Sequence, residues 1–256
     1  MMQGKKAFVF GVLNDYSLGW HIAKQLHEHG CELAFSHMPG EKFERRVIKA
    51  TEPFKPRFLT PCDITKDEDI AAAFQQASEH FGTFDYLVHS LAFAPADTFE
   101  KPFLETSRDS WRTALDVSAY SLVALARAAL PLMNPGGSIV TLTYYAAEKY
   151  IPGYNMMAVA KAGLECSVRY LAAEMGRDPK HIRVNAVSAG AIKTLAASGT
   201  GDINTMIEHY QQKAPIPWED APTHVGKAAL YLLSDLSSGV TGEIHYVDGG
   251  YNIVGW

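Results

Sequence analysis

Cysteine is scarce in this chain of 256 residues: there are three, Cys31, Cys62 and Cys166. No two sit at metal-ligand spacing, which argues against a zinc ribbon or a disulfide scaffold. A sparse, odd set points to reduced thiols and a cytoplasmic setting. The ten histidines are scattered, with no His-Glu-x-x-His or similar cluster, so no metal site is expected. Charge is not strongly biased either. A net charge of −5 offers no basic surface for phosphates, which argues against nucleic acid as a partner. The N-terminal apolar run ends at Gly11, too short for a signal peptide or a membrane span, and no membrane association is expected. There is no repeat, low-complexity tract or Pro/Gly/Ser-rich linker, so residues 1–256 read as a single domain. Also missing are a G-x-G-x-x-G fingerprint and an acidic residue at the end of the second apolar run, where dinucleotide folds often read a ribose 2′-hydroxyl.

What is present is alternation. Short apolar runs at residues 7–10, 32–36, 57–60, 86–90, 137–143, 181–187 and 243–247 read as strands. Amphipathic segments at 17–29, 41–50, 67–81, 110–130, 152–175 and 225–233 read as helices, the first closed by Gly30. The pattern predicts an α/β fold: a Rossmann-type, doubly wound, parallel seven-stranded sheet with helices on both faces. One stretch, 193–201, is irregular and rich in small residues, and a short amphipathic segment at 203–212 follows it. A lid and a plain surface connection are equally good readings of it from pattern alone.

The most informative spacing is Tyr154-x6-Lys161. In a helix, that spacing brings the ammonium to within roughly 20° of the phenol, about 10 Å further along the axis. Such a phenol can stabilise negative charge developing on an oxygen. The ammonium can hold cofactor hydroxyls or lower the phenol's pKa. Surface neighbours share this spacing often, so the rest of the chain has to support it. Gly11 ends the first strand, and Ser17-Leu18-Gly19 opens the first helix, where a pyrophosphate would meet backbone N–H groups. Ser17 can serve as N-cap and phosphate contact. Asp63 follows the third strand and can accept an adenine amino group or cap the next turn. Small residues follow the fourth strand in Ser90-Leu91-Ala92-Phe93-Ala94, and Tyr144 follows the fifth. Gly11, Asp63, Ala92, Tyr144 and Ile192 all fall just past predicted strand ends, the edge where open α/β sheets bind ligands. Arg45 and Arg46 can reach a 2′-phosphate, but a solvated helix face is the better reading.

Taken together, these motifs resemble the short-chain dehydrogenase/reductase superfamily. Within it they look most like the NADH-dependent enoyl-[acyl-carrier-protein] reductase branch. The resemblance covers nearly the whole chain. It rests on Gly11-x5-Ser17-Leu18-Gly19, Cys62-Asp63-Ile64, the run from His89 through Ser90, Ala92 and Phe93 to Pro95, Asp116-Val117-Ser118, Tyr144-x9-Tyr154-x6-Lys161, Ile192-Lys193-Thr194-Leu195 and Val247-Asp248-Gly249-Gly250. Ketoreductases of the superfamily use Tyr-x3-Lys instead. Tyr145 and Lys149 have that spacing but come too soon after the fifth strand to open the long helix.

The resemblance implies reduction of the trans-2 double bond of acyl thioesters in fatty-acid elongation. NADH would be the cofactor, with NADPH possible, and acyl carrier protein the substrate carrier. It also implies a homotetramer. Tyr154 would stabilise the enolate, Lys161 hold the nicotinamide ribose and Tyr144 line the catalytic pocket. Gly11, Ser17, Leu18, Met38, Asp63, Ile64, Ser90, Ala92, Ile192 and Thr194 would bind cofactor. Phe93, Ala94, Ala196 and Ile203 would contact substrate, within a substrate-binding loop at about 193–212. Three positions depart from the family pattern. Ala92 replaces a usual Gly, Met38 a polar residue and Ile203 a bulky aromatic.

Overall fold

The computed structural model describes residues 2–193 and 203–255. Seven strands form one parallel sheet: β1 (Lys6–Phe10), β2 (Glu32–His37), β3 (Leu59–Pro61), β4 (Phe84–His89), β5 (Met133–Thr143), β6 (Arg183–Ala189) and β7 (Ile244–Val247). Their order is β3-β2-β1-β4-β5-β6-β7. Val9 lies opposite Phe35 on one side and Val88 on the other, so β1 is an interior strand. Chain progression reverses between β1 and β4, which opens a crevice at the carboxyl ends of those strands.

Side-chain alternation along each strand builds two cores. Ala7 and Val9 of β1 face one way, against Ile22 and Leu26 of α1 (Leu18–Glu28) and Val225 and Leu232 of α9 (Ala221–Leu233). Phe8 and Phe10 face the other way. They meet Phe74 of α3 (Asp67–Phe81), Leu122 of α6 (Ser121–Ala129) and Leu164 of α7 (Asn155–Arg177). Phe8 is fully buried, with ring centroids of Phe10, Phe58 and Phe74 at 4.5, 5.3 and 5.5 Å. The remaining α-helices among the described residues are α2 (Glu41–Thr51), α4 (Asp97–Glu100), α5 (Arg108–Leu115) and α8 (Ile203–Lys213). Buried Arg183 donates to the carbonyls of Leu232, Leu233 and Ser234 and to Ser237 Oγ at 2.7–3.1 Å. A cation thus closes the carboxyl end of α9.

Most predicted elements are present, and α3 keeps the expected bounds. Two differences affect the site. The single helix expected at 110–130 is divided by a π turn at Asp116–Tyr120, which widens the coil and brings Val117 to the cleft. By length and composition Arg108–Leu132 could cross a membrane, but Leu122, Leu125, Ala126 and Ala129 pack in the second core. The helix expected from residue 152 begins at Asn155 instead. Gly153 and Asn155 have positive φ (77° and 40°), so the backbone turns sharply on either side of Tyr154, which becomes the N-cap residue.

Candidate active site

A cleft of about 780 Å³ runs along the carboxyl edge of the sheet. At one end β1 turns at Gly11 (φ 95°), where an added Cβ would lie 1.9 Å from the Ser90 carbonyl oxygen. Only glycine fits that passage between β1 and β4. Leu18, the first residue of α1, lines the cleft, beside opening-turn N–H groups that have no intrahelical acceptor. Ser17 occupies the N-cap position, but its side chain does not cap. Its Oγ accepts from the N–H groups of Leu13 and Asn14 at 3.1 and 3.2 Å, bonding back to the loop after β1 rather than into the helix. Asp63 lines the cleft and accepts from the Thr65 N–H and Oγ1 at 3.1 and 2.7 Å, so the turn-capping arrangement is present. Met38, Ile64, Ser90, Ala92 and Ile192 line the same cleft. Arg45 and Arg46 are exposed and do not line it. Arg45 pairs with Glu41, one turn earlier on α2.

At the other end Tyr144, Tyr154 and Lys161 converge. The Tyr144 and Tyr154 rings lie 4.8 Å apart at 57°. Burial pushes the Tyr154 phenol up, and Tyr144 adds to the effect. Burial pushes Tyr144 up to about 12. Both are therefore neutral donors at ordinary pH. The sequence reading allowed Lys161 to lower the Tyr154 pKa, but its Nζ instead donates to the Leu142 carbonyl at 2.8 Å. Burial lowers Lys161 itself to about 8, opposed by Glu165 one turn later on α7. Behind it, fully buried His89 bridges Thr141 Oγ1 and Ser121 Oγ, both at 2.8 Å. The Ser121 hydroxyl donates to the Val117 carbonyl, so His89 Nε2–H donates to Ser121 and Nδ1 accepts from Thr141. Burial, helped by Lys161, pushes this imidazole down to about 3 and keeps it neutral.

Phe93 lines the cleft and is fixed by Ser118 Oγ, which meets its N–H and carbonyl at 2.8 Å each. Ala94 is turned away into a small apolar cluster with Ala114 and Met156. Thr194 and Ala196 lie outside the described residues, as does most of the expected loop; Ile203 opens α8. The sequence reading missed Phe43 and Val47, which line the cleft from α2 at helical i,i+4 spacing, a legible apolar stripe. It also missed Thr113, Met157 and Met206. Trp218 was missed too. Its indole N–H donates to the Ala191 carbonyl at 3.0 Å, and its ring packs where a Cβ on Gly190 would lie 2.9 Å away. No spacing signalled it.

A parallel Rossmann-type sheet with this cleft at its switch point, entered past a glycine turn and a helix N-terminus, defines a dinucleotide-binding protein. The Gly11 passage and the buried cation at the far end fit a dinucleotide. A sequence profile described as enoyl-(acyl carrier protein) reductase matches residues 11–252. An NADH-type enoyl-[acyl-carrier-protein] reductase from Synechocystis is 48% identical, covering 99% of this chain and 98% of the relative. One from Rickettsia conorii is 47% identical, covering 100% and 97%. Among solved structures, the Aquifex aeolicus NADH enzyme superposes with a TM-score of 0.93 at 41% identity, covering 100% and 99% of the two chains. The Bacillus cereus enzyme, solved with NADP+ and an indole naphthyridinone, gives 0.95 at 43%, with the same coverage. The chain belongs to the enoyl-(acyl carrier protein) reductase family.

Proposed function

We propose that this chain reduces the trans-2 double bond of enoyl thioesters carried on acyl carrier protein, with NADH as reductant, in fatty-acid elongation. The observation that carries the proposal is two neutral phenols beside a buried lysine, at the opposite end of one cleft from the glycine turn. Bound NADH supplies the hydride. Gly11, Leu18 and the opening N–H groups of α1 hold the pyrophosphate, and Ser17 shapes the loop that does so. Met38, Asp63 and Ile64 flank the adenosine. Ser90 and Ala92 pass close to a ribose, Lys161 donates to ribose hydroxyls, and Ile192 borders the carboxamide. Tyr154 donates a hydrogen bond to the thioester carbonyl oxygen and stabilises the enolate formed as hydride reaches the β-carbon; the enolate then takes a proton from water at its α-carbon. Tyr144 and Phe93 line the acyl side. Loss of NADH absorbance with crotonyl thioesters, and none with acetoacetyl thioesters, is the expected result. The reverse selectivity sinks the reading in favour of a ketoreductase.

Cofactor binding carries a pH signature. In the free protein Lys161 loses its charge as pH rises through about 8. NADH affinity, measured by fluorescence titration, is therefore expected to be flat below that pH and to weaken above it. Affinity that stays constant through alkaline pH removes the Lys161 ammonium from cofactor binding.

NADH is expected to be favoured over NADPH in kcat/KM. A 2′-phosphate needs cations, Arg above all. Near the adenosine end Met38 is exposed, while Arg45 is engaged by Glu41 and Arg46 faces solvent. A clear NADPH advantage refutes the preference.

We also infer that residues 1–256 act as one domain, in a cytoplasmic homotetramer. Supporting this, all seven strands share one sheet, and the outer surface of the α5–α7 region leaves Trp111, Tyr120 and Tyr170 exposed.

A further inference from the structure

Trp218 is buried and comes from the segment between α8 and α9, yet it reaches the exit of β6. Its indole N–H donates to the Ala191 carbonyl at 3.0 Å. Ring atoms Cε2, Cζ2 and Nε1 lie 2.9, 2.9 and 3.1 Å from where a Cβ on Gly190 would be, so the ring sits on bare backbone. Ala189, Gly190, Ala191 and Ile192 line the cleft, and Trp218 does not. The indole therefore packs on this strip of cleft wall from behind.

Trp218 is itself anchored. The Ile216 N–H donates to the Gly249 carbonyl at 2.9 Å, which ties the segment to the turn after β7. Pro215 and Pro217 restrict the backbone on either side of Ile216. The indole stacks on His224 of α9, with centroids 6.2 Å apart and planes 25° apart. From the sheet side, the Gly190 N–H donates to the Val247 carbonyl at 2.9 Å. A buried indole N–H needs an acceptor, and many carbonyls would serve. The one it takes belongs to the cleft wall.

We infer that Trp218 is a positioning residue: by holding the Ala191 carbonyl it turns the Ile192 N–H into the cleft, as a donor to the carboxamide oxygen of the nicotinamide. The peptide bond between Ala191 and Ile192 is trans. In a trans peptide the C=O of one residue and the N–H of the next point in opposite directions. With the Ala191 carbonyl fixed on the indole, the Ile192 N–H points the other way, to the cleft side. Among the described residues no acceptor meets that N–H, and Ile192 is only 8% exposed. A buried N–H without a partner is costly, and a ligand carbonyl removes the cost. The inference rests on the proposed placing of Ile192 beside the carboxamide. It adds the residue that aims its N–H.

The test uses Trp218→Phe, which keeps an apolar ring and removes the indole N–H. Readouts are the Kd of NADH, of its thionicotinamide analogue, and of ADP-ribose, which lacks the nicotinamide. NADH binding is expected to weaken by about 3- to 10-fold, with ADP-ribose binding unchanged. The analogue carries sulfur, a poor acceptor, in place of the carboxamide oxygen, so its affinity is expected to change by less than about 2-fold. In the unsubstituted protein the Ile192 amide resonance is expected to shift on addition of NADH and to stay in place with ADP-ribose. That NMR measurement decides the matter if the variant does not fold. In a folded variant, unchanged NADH affinity, an equal loss for NADH and ADP-ribose, or an equal loss for NADH and the thionicotinamide analogue each overturns the inference. So does an Ile192 resonance that NADH leaves unmoved. A chain that binds NADH in this way but reduces no enoyl thioester would sink the activity reading and leave this inference standing.

Discussion

Tyr154→Phe is expected to lower turnover by about 10- to 10³-fold while NADH still binds. The substitution removes one hydroxyl and keeps the ring, so the packing against Tyr144 survives. What is lost is a donor aimed at the oxygen that gains charge. The donor is half-buried in the cleft, where bound substrate leaves water less able to compete for the same oxygen. Lys161→Ala should behave differently. It removes a buried cation held by the Leu142 carbonyl, so NADH affinity should fall first and turnover with it. The pair separates the two roles: one variant is read in kcat with Kd unchanged, the other in Kd. Full activity in both sinks the assignment. Loss of NADH binding in Tyr154→Phe would move the tyrosine from the substrate to the cofactor.

The second large effect is structural. Gly11→Ala is expected to destabilise the protein by about 3 kcal/mol or more, from overpacking added to a strained φ. For a chain of this size that is a fall in Tm of roughly 6–12 °C. The new Cβ would meet Ser90 O, C and Cα at 1.9, 2.5 and 3.2 Å, all backbone atoms that no rotamer change can move. Relief requires parting β1 from β4 where Ser90 N–H donates to the Phe10 carbonyl at 3.0 Å, which also deforms the cleft. Gly4→Ala is the control. Gly4 also has positive φ (75°), but nothing lies within 4 Å of an added Cβ, so only backbone strain of about 1 kcal/mol is expected. Thermal melts of the two variants decide the matter. Equal shifts would mean that the close approach of Ser90 is unimportant.

The order of strands and helices was legible because burial on both sides of a parallel sheet leaves continuous apolar runs, while surface helices keep a period near 3.6. Residues 7–10 and 67–81 were read almost as they fold. Boundaries governed by a single residue's φ were harder. Positive φ at Asn155 delays α7, and the π turn at Asp116–Tyr120 interrupts a segment whose composition is helical throughout. Neither leaves a periodic signal, since each is fixed by packing against other parts of the chain, as in the Ser118 link to Phe93.

The same division holds for the site. The sequence by itself determined its inventory: a glycine at the end of the first strand, a tyrosine and a lysine at a telling spacing, and small residues at strand ends. These are local constraints on backbone and chemistry, and they survive in linear order. Only the tertiary structure decided what each group does with its neighbours. Ser17 bonds back to its own loop, Ala94 turns into the core, and Lys161 answers to Leu142 and Glu165 rather than to Tyr154. Trp218 reaches the site region from far along the chain. Hydrogen-bond direction and desolvation depend on atoms brought together across many residues of separation, and no spacing in one dimension encodes that proximity.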